Sequence, residues 1–305
     1  LTAVVTMFDS GGSTGILREE FGYPPLGDIR QCLVALSPRG NEQVKALNSA
    51  LDFRFDSESS LQGHSVGNLV LAALTTVYHG VQGAIDELSR MMQLQGQVVP
   101  VTLDEAHLCA RLVDGEVIRT ESAIDLRGNN GPGISEVFLD AKVSVNPRAL
   151  EAIEKADAIL LGPGDLYTSV IPNLLVKEVS DAIRDTKSPV IYACNLMTKL
   201  GETAGYGVST FVSEVVRNIG GRKIDHLLVD NTKYSPEVLS VYAAEAAAPV
   251  ELDNGDAEKF AHKIVVSDLA YVDGLTVRHN SDRLADIVLA AIEQPVTNPL
   301  STGLE

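Results

Sequence analysis

The sequence predicts an α/β fold: a Rossmann-like, mostly parallel sheet with helices on both faces and a small antiparallel excursion, in a single domain over residues 1–305. Three observations predict it. Short apolar runs at 1–7, 158–161, 190–194 and 226–229 each end in a loop rich in glycine, hydroxyl or amide residues, and stretches of helical spacing separate them. Ala158-Ile159-Leu160-Leu161 is apolar without a break, as expected of a strand covered on both faces. Between 97 and 140 the pattern changes to short β-like runs, broken by the hairpin signal Asp114-Gly115.

The elements follow in order. The first strand runs from Leu1 to Met7 and ends in Phe8-Asp9-Ser10-Gly11-Gly12-Ser13-Thr14-Gly15. Pro24, Pro25 and Gly27 forbid a regular element before Asp28, which can cap a helix carrying Ile29, Cys32, Leu33 and Leu36 on one face. A second short helix is expected over 41–51 and a polar loop over 52–63. Val66, Leu69, Val70, Ala73, Leu74 and Val77 recur at 3.6 spacing and define a buried helix closed by Gly80. Residues 84–94 form an amphipathic helix with Ile85, Leu88, Met91 and Met92 inward, the Met pair as core filler. The antiparallel excursion over 97–140 uses 98–103, 107–113 and 116–119, and Gly128-Asn129-Asn130-Gly131-Pro132-Gly133 breaks it again. Asn146-Pro147 starts a helix running to 156, because Asn caps and Pro suits the first turn. Strands at 158–161, 190–194 and 226–229 then alternate with helices at 174–184 and 209–219. A strand near 264–266 and a helix over 282–292 end the ordered pattern, and 294–305 reads as a tail, frayed or packed on a neighbour.

Composition narrows the function classes. Hydrophobic residues make up 45% and charged residues 21% of the 305, a globular balance. The net charge of −17 disfavours nucleic acid and anionic lipid as partners. No apolar stretch reaches the ~20 residues of a membrane span, and no signal peptide is visible, so a cytoplasmic setting is expected. The chain opens inside a strand-like run without a Met. Cys32, Cys109 and Cys194 are far apart in apolar segments and read as reduced thiols, and the six histidines show no metal-ligand spacing. The apolar helices are compatible with a homodimer.

In a parallel sheet, ligands sit at the carboxyl ends of the strands. Four loops should gather there: Asp9 to Gly15, Gly162 to Ser169, Asn195 to Thr203 and Asp230 to Thr232. Glycines let backbone N–H groups face a ligand, and hydroxyls and helix starts add donors, so a phosphate can be held without many lysines. The expected ligand contacts are Asp9, Ser10, Gly11, Gly12, Ser13, Gly162, Gly164, Asp165, Tyr167, Ser169, Asn195 and Thr198. His64 and Asn68, four apart, should share a helix face, with Gly67 allowing close approach of a backbone or a ligand; His64 could equally be a packed residue at a helix start. Asp9, Asp28 and Asp165 could each hold a divalent cation on a phosphate, or serve as turn former and cap. Arg18 and Arg30 could meet phosphate or form surface ion pairs, and no nucleophile–base pair stands out.

FDSGGSTGILREEFGYPPLGDIRQCLVAL, GHSVGNLVLAAL, LGPGDLYTSVIPNLLV and CNLMTKLGETAGY together resemble the CofD-like superfamily, in its YvcK or gluconeogenesis-factor branch, from residue 1 to about 290. The resemblance implies a Rossmann-like core, a bacterial cytoplasmic setting and a nucleotide pocket at these loops. It implies one of two activities. One is binding of a UDP-sugar such as UDP-N-acetylglucosamine in support of cell-wall and cell-shape homeostasis. The alternative is magnesium-dependent transfer of a phospholactyl group from a nucleotide-diphosphate donor to a deazaflavin. It also implies a further strand with a GGGTG loop before Leu1. Where the family often has two aspartates this chain has Phe8-Asp9-Ser10, which leaves Asp9 as the metal-binding residue. Magnesium is the one cofactor this reading admits.

Overall fold

The structure, a computed structural model, describes residues 1–56, 58, 60–128, 131–253 and 256–293. It contains two compact units: Leu1–Leu126 with Ile134–Ala152 and Leu175–Val179, and Arg127–Gly133 with Ile153–Leu174 and Ser180–Glu305. The expected break at Asn129-Asn130 and the tail at 294–305 lie outside the described residues.

The first unit begins with β1 (Thr2–Val5), α1 (Gly12–Phe21), α2 (Gly27–Ala35), α3 (Glu42–Asp52), α4 (Val66–Val77), α5 (Val81–Met91) and β2 (Gln97–Pro100). β1 and β2 pair in parallel, Val4 opposite Val99. Against them lie helices whose apolar faces follow the 3.6 period: Ile29 and Leu33 of α2 and Ile85 and Leu88 of α5 are all buried. Each such side chain stabilises the unit by about 1.5–3 kcal/mol. In α4 the expected line is not the buried one: Gly67, Asn68, Leu71 and Ala72 are buried, Val66, Leu69, Val70 and Leu74 only half-buried, Ala73 exposed and Val77 65% exposed, because α4 turns its small and polar residues inward. Next come β3 (Leu108–Leu112), β4 (Val117–Arg119), α6 (Glu121–Asp125), β5 (Ile134–Leu139) and α7 (Pro147–Glu154). β3 is the middle of a three-stranded antiparallel sheet, order β4-β3-β5, and the Asp114-Gly115 turn joins β3 to β4 with Gly115 at φ +92°.

The second unit carries β6 (Ile159–Leu161), a π-helical turn at Leu166–Val170, α8 (Ile171–Leu174), α9 (Lys177–Asp185), β7 (Val190–Ala193), α10 (Val208–Asn218) and β8 (Ile224–Asp230). It continues through α11 (Pro236–Ala244), α12 (Ala257–Phe260), β9 (Ala261–Ser267), the hairpin β10 (Ala270–Asp273) and β11 (Thr276–His279), and α13 (Ser281–Glu293). β6-β7-β8-β9 form one sheet in that order, every pair parallel. Ile191, Ala193 and Leu228 pack on Val238 of α11 and on Leu284 and Ala291 of α13. The alternate residues Tyr192 and Leu227 are as deeply buried, so these central strands are covered on both faces.

Several expectations need correction. The run 98–103 is not part of the antiparallel excursion, because β2 hydrogen-bonds to β1 in parallel; the excursion begins at β3. Gly12 onward is helix rather than loop. Asp28 sits inside the first turn of α2, and the residue in the N-cap position is Leu26, with no side-chain cap. His79, not Gly80, takes the left-handed conformation that ends α4 (φ +54°), and the Gly80 N–H then reaches the Thr75 carbonyl at 2.9 Å. Met91 is 50% exposed, since it lies about 90° around α5 from the middle of the buried line Ile85–Leu88–Met92. Leu160 is 39% exposed, because β6 is an edge strand. The Asn146 cap and the Pro147 start stand as expected, with Asn146 Oδ1 accepting from the Arg148 N–H at 3.1 Å.

His226 in β8 is buried, and neither ring nitrogen has a partner among the described residues. Burial depresses its pKa below 6.5, Lys263 depresses it further, and Asp225 opposes. The unfolded chain therefore takes up the proton first, and His226 costs stability increasingly as pH falls below 6.5. His226→Leu should flatten this loss and add about 1–3 kcal/mol at pH 5 relative to the parent, read by urea unfolding at pH 5 and pH 8; an equal effect at both pH values would refute the assignment.

Candidate functional site

Three of the four expected loops, those after β6, β7 and β8, share the carboxyl edge of one parallel sheet. The Asp9 to Gly15 loop follows β1, whose strand partner is β2, so it belongs to the first unit and not to that edge.

In the first unit, Gly11 precedes α1 and Gly12 has φ +46°, a conformation that favours glycine. Asp9 Oδ1 accepts from the Gly11 N–H at 2.8 Å, and Glu121 Oε2 from the Ser10 N–H at 3.2 Å. Ser10 Oγ lies 3.2 Å from Ser122 Oγ and accepts from the Ser122 N–H at 2.9 Å. Carboxylates thus already occupy two of the amides expected to meet a phosphate, those of Ser10 and Gly11. A Cβ on Gly11 would stand 3.4 Å from Asp9 Oδ1 and 3.8 Å from Glu121 Oε2, and one on Gly27 would stand 3.1 Å from Asp9 Oδ2. Burial, then the charge of Asp9, raises Asp28 to about 6. Burial also raises Glu121 to about 7, against the Ser10 N–H bond, and both the charge of Asp9 and a shared hydrogen bond with it add to the rise. Asp9 is therefore not alone, and the loop gathers negative charge.

Beside it, Ser13 Oγ lies 2.9 Å from His64 Nδ1, and Asn68 Nδ2 donates to Ser13 Oγ at 3.3 Å. His64 precedes the α4 cap Ser65, so the two side chains converge on Ser13 instead of sharing a helix face. All three are buried, and Asn68 Oδ1 has no partner. In the Nε2–H tautomer the Ser13 hydroxyl donates to His64, a hydroxyl–imidazole pair that the sequence concealed. Gly67 is required for protein packing: an added Cβ would meet Arg30 Cδ at 2.5 Å and the Leu51 carbonyl at 2.7 Å. Arg30 is committed to Asp52, and Arg18 Nη2 to the Ala106 carbonyl at 2.7 Å.

In the second unit, Asn195 Nδ2 donates to the Gly164 carbonyl at 2.9 Å and ties the loop after β7 to the loop after β6. Lys199 Nζ bridges Asp165 at 2.7 Å and the buried Glu202 at 3.1 Å. Gly162 has φ +74°, and Ser169 is half-buried one turn on. Tyr167 is buried with its hydroxyl 3.0 Å from that of Tyr206, and Thr198 Oγ1 accepts from the Ala248 N–H at 2.9 Å. These two hydroxyls are engaged within the protein. Glu121, Lys199 and Glu202 were outside the expected set. Glu121 carries no local signal, being 112 residues from Asp9, whereas Lys199 and Glu202 lay within an expected loop.

The model of the family described as 2-phospho-L-lactate transferase CofD matches residues 1–270. The chain belongs to the CofD family. Within it, the chain is 37% identical to the gluconeogenesis factor of Halalkalibacterium halodurans (95% of this chain, 88% of that protein) and 32% identical to that of Bacillus subtilis (96% and 91%). It spans 62% of a Nostoc relative at 40% identity and 64% of a Clostridium acetobutylicum relative at 37%. A crystal structure of a Bacillus halodurans protein described as a member of the UPF0052 family superposes with a TM-score of 0.88 at 36% identity, over 94% of this chain and 91% of that one. Among the described residues no helix is long and apolar enough to cross a membrane.

Proposed function

We propose that this CofD-family chain binds a nucleoside-diphosphate sugar of the UDP-N-acetylglucosamine type through a bridging divalent cation, as a sensor in the role its relatives' names give, gluconeogenesis, and in cell-wall and cell-shape homeostasis. The observation that carries the reading is the negative charge that Asp28 and Glu121 each share with Asp9 near the start of α1. Half-buried carboxylates, with Asp28 and Glu121 raised in pKa, repel a bare phosphate and favour a hard cation, and carboxylate oxygens suit magnesium. A cation held there neutralises the carboxylates and presents positive charge to a diphosphate. Ser13, His64 and Asn68 supply neutral hydrogen-bonding groups beside it. Gly162, Gly164, Asp165, Ser169 and Asn195 are proposed ligand contacts of the second unit, with Tyr167 and Thr198 shaping their loops from within.

Calorimetric titration with UDP-N-acetylglucosamine tests the reading. Magnesium-dependent binding near ~1 μM, weakened at least ten-fold in Asn195→Ala, is the expected result. Absence of affinity for any UDP-sugar would overturn it. The family's description as 2-phospho-L-lactate transferase favours a second reading, phospholactyl transfer to a deazaflavin. Turnover with a guanosine-linked donor and magnesium, with no UDP-sugar affinity, would select it.

A further inference from the structure

The first unit also carries an open cleft of about 840 Å³, within the usual range for small-molecule sites. Arg18, Tyr78, Leu103, Glu105, His107 and Asp140 stand in its wall. Arg18 Nη2 donates to the Ala106 carbonyl, and its Nη1 is buried without a partner among the described residues. His107 Nδ1 is in the same state, while the His107 backbone N–H donates to Asp140 Oδ1 at 2.7 Å. Burial lowers the Arg18 pKa, and the charges of Glu105, Asp140 and Asp9 oppose that shift. Tyr78 and Leu103 are 45% and 51% exposed, large apolar surface left open on the cavity wall.

These features set the chemistry of an occupant. The unmet Arg18 donor calls for an oxygen acceptor, which a small outward tilt of the guanidinium would engage. Glu105 and Asp140 repel a phosphate and attract a cation. Tyr78 and Leu103 offer an apolar wall, and a tyrosine ring face also favours an ammonium group. We propose that this cavity binds a zwitterionic ligand of amino-acid type, with its carboxylate on Arg18, its ammonium facing Glu105 and Asp140, and its side chain against Tyr78 and Leu103. The proposal does not depend on the nucleotide reading.

The test is ligand-observed NMR on the full chain with each common L-amino acid, followed by titration of the best binder. At least one should bind with Kd ~1 mM or tighter. The matching decarboxylated amine and deaminated acid should each bind at least ten-fold more weakly. Arg18→Met should bring the amino acid down to the affinity of the amine and leave the amine unchanged. Glu105→Gln, at an exposed position that folding tolerates, should weaken amine and amino acid together. Failure of every amino acid to bind, equal binding of the deaminated acid, or indifference of both variants would overturn the proposal. The nucleotide titration on the same samples reads out separately, so either reading can fail alone.

Discussion

Asp9→Asn should abolish the cation requirement of ligand binding and lower Glu121 from about 7 by part of its rise, the part due to burial remaining. The charge of Asp9 is a cause common to the raised values of Asp28 and Glu121. A carboxyl group whose folded pKa exceeds its unfolded one holds its proton longer in the native state. Stability then falls as pH rises through the window between the two values, about 4.5 to 7 for Glu121 and 3.8 to 6 for Asp28. By pH 8 Asp28 and Glu121 are both largely ionised and the penalty is nearly complete. A divalent cation offsets it there, and at a hundredfold excess over its Kd adds about 2.7 kcal/mol. Magnesium should therefore raise the Tm of the parent chain at pH 8 and have little effect at pH 5. In Asp9→Asn the apo protein should be more stable than the parent at pH 8, with the magnesium shift lost. Carboxyl NMR titration reads the Glu121 value directly. A magnesium shift of equal size at both pH values, or one that survives Asp9→Asn, would remove the cation from the site.

Local periodicity made much of the fold legible. The face of α2 carrying Ile29 and Leu33, the start of α7 at Asn146-Pro147 and the parallel run β6 to β8 each follow from neighbours in sequence. What escaped is non-local. Whether Val98 to Pro100 pairs in parallel with β1 or joins a hairpin depends on a partner some 95 residues away, and both alternatives present the same apolar run. α1 was hidden because Gly11, Gly12 and Gly15 carry a turn signature, although in the helix Gly15 is needed where the chain passes close to itself: a Cβ there would stand 2.3 Å from the Ser10 carbonyl. The site behaves likewise. Asp9, Ser13, His64 and Asn68 could be chosen as polar residues in suggestive motifs, but that Ser13 is the point where His64 and Asn68 meet is a property of packing. Glu121 enters from the first turn of α6, with no motif of its own.

Gly67→Ala should separate packing from ligand approach at the remaining ambiguous glycine. On helix propensity alone the change favours folding by at most ~1 kcal/mol, and by less in the first turn of α4. Against that stands the new methyl group, 2.7 Å from the Leu51 carbonyl and 2.5 Å from Arg30 Cδ. The carbonyl is backbone at the end of α3, and Arg30 is buried and tied to Asp52, so neither can withdraw cheaply. Overpacking of this kind costs about 1–3 kcal/mol, enough to reverse the propensity gain. The expected result is a net loss, at roughly 2–4 °C of Tm per kcal/mol in units of this size. Nucleotide affinity measured well below the transition should stay within a factor of two of the parent, because the methyl group points at Arg30 and Leu51 and not at Ser13. A variant of undiminished Tm that has lost the ligand would show instead that Gly67 lies open to the site and that the α3–α4 contact yields.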